Sequence, residues 1–159
     1  MTDSPNIERG ANVHFPPPLV FLGFTLLGVV LRYFVTPIPF PATAQVRLAG
    51  VLLLLTGVGI IVSARVWFVR TGQSPIPWKP TPELIVRGPY RFTRNPMYLG
   101  ITLVQAGLGV ALGNVWISLF APAALLTVHM IAVRPEEEYL ARKFGASYQQ
   151  YRARVRRYL

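Results

Sequence analysis

Four apolar runs set the pattern of this chain: about Leu19 to Val35, Leu48 to Val69, Pro96 to Gly113 and Val115 to Val133. A helix needs roughly 20 apolar residues to cross a bilayer, so the pattern predicts four transmembrane helices. The segments between them differ in kind. Gly113-Asn114 reads as a tight turn joining the third and fourth helices into a packed hairpin. Thr36 to Val46, with Pro37, Pro39 and Pro41, reads as a plain connection. Thr71 to Asn95 is long, is stiffened by Pro75, Pro77, Pro80, Pro82 and Pro89, and carries Trp78, Tyr90 and Phe92, which argues for an ordered, functional loop.

After the fourth run, Pro135 followed by Glu136, Glu137 and Glu138 predicts the start of a separate helix, because proline suits a first turn and negative charge suits the positive end of the helix dipole. Leu140, Phe144, Tyr148, Tyr151 and Val155 recur at spacings of three or four and form one apolar face, with Gly145 a candidate interruption. Arginines cover much of the remainder, so this helix, about residues 135–155, is expected to lie along the membrane interface. The fold class is therefore an all-α integral membrane protein of one domain, residues 1–159, with four transmembrane helices, a cytoplasmic loop over 71–95 and a C-terminal interfacial helix. The first run has no basic cluster directly before it, and no small-residue cleavage pattern follows in Thr36 to Pro41, so it reads as a retained helix.

Composition agrees: 52% of residues are hydrophobic and only 14% charged. A net charge of +10 in a soluble chain would suggest nucleic acid, but here the basic residues flank apolar runs, where they suit anionic lipid headgroups. The expected partner is the bilayer, and nucleic acid is not expected. Without cysteine there is no disulfide, thiolate ligand or thiol nucleophile, and no metal site is expected.

With four spans, the N-terminus, the long loop and the C-terminal tail share one side. That side holds Arg9, Arg70, Lys79, Arg87, Arg91, Arg94, Arg134, Arg142, Lys143, Arg152, Arg154, Arg156 and Arg157, thirteen of the sixteen basic residues. Arg47 lies opposite, and Arg32 and Arg65 sit near helix ends, where a long side chain can snorkel. The basic side is the cytoplasmic one by the positive-inside rule, so both termini are expected in the cytoplasm. All six acidic residues (Asp3, Glu8, Glu83, Glu136, Glu137 and Glu138) share it, so polar chemistry is expected there.

The densest polar segment is Leu84-Ile-Val-Arg-Gly-Pro-Tyr-Arg-Phe-Thr-Arg-Asn-Pro-Met-Tyr-Leu-Gly100. Gly88 permits a close ligand approach, Pro89 and Pro96 fix the flanking backbone, and free N–H groups before the third helix could bind a carboxylate. On composition alone, a basic juxtamembrane loop binding lipid phosphate explains this segment as well, and a charge run at a helix start explains Glu136 to Glu138. The joint spacing points elsewhere. Gly-Pro-Tyr-Arg-x-x-Arg-Asn-Pro-Met-Tyr-x-Gly, followed about 40 residues later by Glu-Glu-x-x-Leu-x-x-x-Phe-Gly-x-x-Tyr-x-x-Tyr, resembles the isoprenylcysteine carboxyl methyltransferases and the related phospholipid N-methyltransferases over roughly Leu84 to Val155.

The resemblance implies methyl transfer from S-adenosylmethionine to a hydrophobic or lipid-like acceptor. It implies a cofactor site lined by Leu84 and Ile85, with Gly88 in the same segment, contacted by Tyr90, closed at the polar end by Asn95, Pro96, Met97 and Tyr98, and bound from the tail by Glu136. Arg94, Tyr98 and Glu137 are the residues expected to serve the chemistry. A carboxylate such as Glu136 can pair with an ammonium group, and the ring faces of Tyr90 or Tyr98 can attract a sulfonium. Two departures from the family pattern stand out. Asn95 replaces a histidine, which excludes a mechanism that titrates there. Ala132 occupies the place of a substrate-binding arginine, and Arg134, two residues on, faces another way, which argues against a prenylcysteine carboxylate as acceptor.

Among other polar residues, His129 reads as packed and hydrogen-bonded, and His14 as an interface residue. Gln105, Ser63 and Thr56 are candidates for bonds across helices, and Gly107 and Gly109 for close helix approach. Arg65 and Arg70, near the end of the second helix, are placed to contact lipid or a substrate headgroup, with lipid the preferred reading. Two other functions compete: an NADPH-dependent membrane reductase related to sterol reductases, and a small non-enzymatic four-helix transporter. No acidic residue lies within a span, which counts against ion coupling.

Overall fold

The computed structural model describes residues 10–35, 40 and 43–158, and no strand occurs among them. The helices are α1 Pro17–Phe34, α2 Ala44–Arg70, α3 Pro96–Ala111, α4 Val115–Val128 and α5 Arg134–Arg154, with a 3-10 turn at Gly88–Arg91 and a π-helical turn at His129–Val133. Most of the connection expected over Thr36 to Val46 lies outside the described residues, as do Asp3, Glu8 and Arg9.

The hydrophobic pattern is inverted relative to a water-soluble bundle. Along α2, Leu48, Val51, Leu52, Leu55, Val58, Val62 and Val66 are exposed, whereas the buried positions are Gly50, Gly57 and Ala64. Lipid tails are as apolar as leucine, so large side chains lose nothing by facing them, and small residues let helix backbones meet. Three helices are long and apolar enough to cross a membrane: α1, α2 and the continuous helix that begins at Val115. The expected third span is a shorter apolar helix of 16 residues.

α3 lies between α2 and α4, and α1 packs on α4. The α2–α3 seam is built on glycine. A Cβ on Gly57 would stand 2.5 Å from the Gly100 carbonyl oxygen, and one on Gly107 would stand 2.5 Å from the Leu54 nitrogen and 2.6 Å from the Gly50 oxygen. Gly50 and Gly57 face Gly107 and Gly100 respectively, a seven-residue repeat running in opposite directions. Gly109 packs in the same way on Ser118 and Asn114 of the hairpin. Because the opposing atoms are backbone, Gly57→Leu is expected to wedge α2 from α3 and destabilise the fold by about 1–3 kcal/mol. A circular-dichroism melt in detergent checks this, and an unchanged midpoint would show that the seam tolerates the side chain.

Several expectations are corrected. α2 begins at Ala44 rather than Leu48, because the Thr43 hydroxyl caps it by accepting from the Val46 N–H at 3.4 Å. The fourth span and the tail helix are not separate: the helix that begins at Val115 runs on through the π turn into α5 and is broken only by the kink at Gly145. Pro135 has no N–H and would crowd the Ile131 carbonyl in a regular helix, and the π turn relieves this, with the Arg134 N–H reaching back to the His129 carbonyl. Thr56 does not bond across helices, since its hydroxyl donates to the Leu52 carbonyl of its own helix at 2.8 Å. Arg32 does more than snorkel: its guanidinium caps α3 by donating to the Leu112 and Gly113 carbonyls at 3.1 and 2.8 Å.

Other expectations match. Gln105 reaches the Ile117 carbonyl at 3.3 Å across the α3–α4 hairpin. The hairpin turns at Gly113 (φ 62), and Asn114 caps α4 by accepting from the Trp116 N–H. Gly145 (φ 49, ψ −122) kinks α5, which turns Tyr148 and Tyr151 inward.

Candidate active site

Three segments distant in sequence meet at one end of the bundle. The stretch before α1 runs along the loop, where the Ala11 N–H donates to the Pro77 carbonyl at 2.9 Å, and Ala11 and Val13 pack on Val128, Ala132, Val133 and Tyr139. The loop is tied to α5 by the Thr81 N–H donating to the Tyr139 hydroxyl at 3.1 Å, and by the Tyr151 hydroxyl donating to the Tyr90 carbonyl at 2.8 Å. Between them lies a cavity of about 190 Å³.

Eight of the expected site residues line this cavity: Tyr90, Arg94, Asn95, Pro96, Met97, Tyr98, Glu136 and Glu137. Leu84 and Ile85 do not; they border a second hollow of about 250 Å³ beside Trp67, Thr71, Glu83 and Arg87. Ile85 also packs with Ala64 and Tyr90. Gly88 faces α2, where a Cβ would stand 1.8 Å from the Trp67 indole nitrogen, and its φ of 59° lies in the left-handed region. Its demonstrable role is to let the loop close on Trp67.

The turn before α3 has a defined hydrogen-bond logic. The Thr93 hydroxyl oxygen accepts from the Asn95 N–H at 3.3 Å, and Pro96 opens the helix. The Asn95 side-chain amide donates to the Arg157 carbonyl at 3.2 Å, a bond that requires no titrating group. Tyr98, one turn into α3, donates its hydroxyl hydrogen to Glu136 Oε1 across the cavity. Glu136 lies past the apolar run, and burial pushes its carboxyl up to about 7, with the Tyr98 hydrogen bond opposing and the neighbouring Glu137 charge adding to the rise.

Glu137 differs from its neighbour. Arg157 grips both of its oxygens, Nε to Oε1 at 3.0 Å and Nη2 to Oε2 at 2.8 Å, and Arg94 Nη1 stands 3.3 Å from Oε1. Burial pushes this carboxyl up, but the Arg157 hydrogen bonds and the Arg94 and Arg157 charges outweigh it and hold the group below the usual value. An ionised, doubly paired carboxylate is a poor proton acceptor near neutral pH, which suits Glu137 to fixing arginines rather than moving protons. The Arg94 side chain is only 8% exposed; its Nη1 also donates to the Tyr148 hydroxyl at 3.3 Å, and its Nε has no partner.

Sequence reasoning passed over Tyr139, Arg157 and Tyr158. Tyr158 completes the packing of His129, whose Nδ1 lies 3.1 Å from its hydroxyl oxygen, in keeping with the packed role expected of His129. Ala132 is fully buried in the same apolar cluster as Ala11 and Val13, and Arg134 is exposed and does not border the cavity. Among the described residues, no group of three or more histidine, cysteine or acidic side chains is placed to hold a metal ion.

Comparison with known proteins adds two findings. A family model described as phospholipid methyltransferase matches residues 46–147, well over half of the chain. Over 72 residues the chain is 35% identical to the protein-S-isoprenylcysteine O-methyltransferase of Schizosaccharomyces pombe (strain 972 / ATCC 24843), a stretch that covers 45% of this chain and 30% of that protein. The matched part thus spans less than a third of that relative's length. Neither finding supports the reductase or the transporter.

Proposed function

We propose, since this chain belongs to the phospholipid methyltransferase family, that it moves a methyl group from S-adenosylmethionine to a hydrophobic or lipid-like acceptor at the cytoplasmic face of a membrane. The observation that carries this reading is that one cavity is lined by groups of opposite charge with capacity to spare: the Glu136 carboxyl, and Arg94, whose guanidinium keeps one donor, the buried Nε, that no protein group uses. An amino-acid end with an ammonium and a carboxylate needs both. S-adenosylmethionine, when bound, supplies a methyl group on a positively charged sulfur. The residues of this chain do the remaining work. Glu136 binds the ammonium, Arg94 binds the carboxylate, and the ring faces of Tyr90 and Tyr98 favour a cation beside them.

Tyr98 orients Glu136 through its hydroxyl, and Glu137 orients Arg94. The apolar walls at Pro17, Pro18, Ile101 and Leu140 exclude water and suit an apolar acceptor. Leu84, Ile85 and Gly88 complete the cofactor segment in this reading, from the side of the second hollow. The excess of basic residues at this end supports a cytoplasmic orientation, with α3 serving as the third of four spans. Arg134 and Ala132 leave no arginine where the family's carboxylate acceptors would want one, which favours a lipid acceptor over a prenylcysteine.

Calorimetric titration of the detergent-purified chain with S-adenosylhomocysteine and, separately, NADPH tests this. Binding of the first alone is expected; binding of NADPH alone would overturn the reading. The same titration has a pH signature. Only ionised Glu136 attracts an ammonium, and the ionised fraction grows as pH rises toward 7, so affinity for S-adenosylhomocysteine is expected to strengthen on the order of tenfold between pH 5.5 and 7. A flat profile would remove Glu136 from the binding step.

A further inference from the structure

The segment after α5 folds back onto the turn that carries the site. The Arg156 carbonyl accepts from the Arg94 N–H at 3.0 Å, and the Arg157 carbonyl accepts from the Thr93 hydroxyl at 2.9 Å as well as from Asn95. With its side chain, Arg157 occupies both oxygens of Glu137, as described above. One residue therefore holds the turn by its backbone and the carboxylate by its guanidinium, although its own side chain is 36% exposed and does not line the cavity.

We propose that Arg157 is a positioning residue for Arg94: by satisfying Glu137, it leaves the guanidinium of Arg94, a residue that lines the cavity, with an unused donor and a surplus positive charge. The charge count supports this. Two guanidinium groups share one carboxylate, so one positive charge is uncompensated, and the group that carries it is the buried one with the unpartnered Nε. If Arg157 is removed, Arg94 is the cation left within ion-pair distance of Glu137 among the described residues, with the Arg152 charge acting from farther off. The stable geometry then becomes a two-bonded fork that consumes Nε as well as Nη1. The anion-binding capacity of the cavity closes without any change to a residue that lines it. The sign of this effect is specific: it is undone by removing the competing carboxylate charge.

This inference rests on the reading that the cavity takes S-adenosylmethionine, and the test separates the two. The full chain in detergent is titrated with S-adenosylhomocysteine. Arg157→Ala is expected to raise Kd on the order of tenfold. Arg157→Lys, which keeps the charge but not the fork, is expected to fall between the two. The double variant Glu137→Gln/Arg157→Ala is expected to recover part of the lost affinity and bind more tightly than Arg157→Ala, because Arg94 is released again. In turnover, Arg157→Ala should raise KM for the methyl donor and leave kcat nearly unchanged. Wild-type affinity in Arg157→Ala would overturn the proposal. So would a double variant as weak as Arg157→Ala, since that is what a simple structural clasp predicts. A wild-type chain that binds no S-adenosylhomocysteine would overturn the underlying reading, and the proposal with it.

Discussion

Glu136→Gln is expected to weaken binding of S-adenosylhomocysteine by about a hundredfold, or about 3 kcal/mol, and to lower methyl transfer at subsaturating donor by a similar factor. Glutamine keeps the shape and can still accept the Tyr98 hydroxyl, so the change removes charge and little else. The cavity would then have no anion facing the ammonium end of the donor, because Glu137 is occupied by two arginines. Calorimetry gives the affinity directly. Wild-type affinity in this variant would mean that the ammonium is held elsewhere. Glu136 also stands beside a phenol and is held near 7 by burial, so the pH dependence described above should vanish in the same variant. The two measurements check each other.

Arg94→Met is expected to lower turnover at low donor concentration by about a hundredfold, since it removes the free Nε and the surplus positive charge together. Its structural cost should be smaller than the roughly 3–5 kcal/mol of stranding a buried charge, because Arg157 remains on Glu137 and water can reach its 36% exposed side chain. What is lost structurally is the Glu137 contact and the hydrogen bond to the Tyr148 hydroxyl. A thermal midpoint within a few degrees of wild type, with activity nearly gone, is therefore the expected pattern. Retained activity at low donor would show that Arg94 only ties the turn to α5.

Much of this architecture is legible in the chain before any coordinates, for identifiable physical reasons. Long apolar runs have one common use, and Gly113-Asn114 and Pro96 mark a turn and a helix start wherever they occur in such a context. Gly145 announces the kink because few residues accept its backbone angles. The convergence of Tyr90, Asn95, Pro96, Met97, Tyr98 and Glu136 on one cavity follows the paired motif that pointed to them. The unread parts all depend on distance in space. Nothing local to Pro135 says that a π turn will carry the helix past it. Arg157 looks like one of several basic residues in a solvated tail, and only the bend at Gly145 brings it back to Glu137. Likewise, Arg32 resembles a snorkelling side chain until the end of α3 is placed beside it. Gly50, Gly57 and Gly100 are ordinary glycines in apolar runs, and their register becomes visible only when α2 and α3 are laid antiparallel.

The account stands most directly on one measurement: purified chain incubated with isotopically labelled S-adenosylmethionine and a crude membrane lipid extract, with the labelled product identified by chromatography and mass spectrometry. The predicted result is label in an organic-soluble lipid product, made by the wild type and reduced about a hundredfold in Glu136→Gln at subsaturating donor. Absence of transfer to any component of the extract by a chain that also fails to bind S-adenosylhomocysteine, or equal transfer by Glu136→Gln, would contradict it.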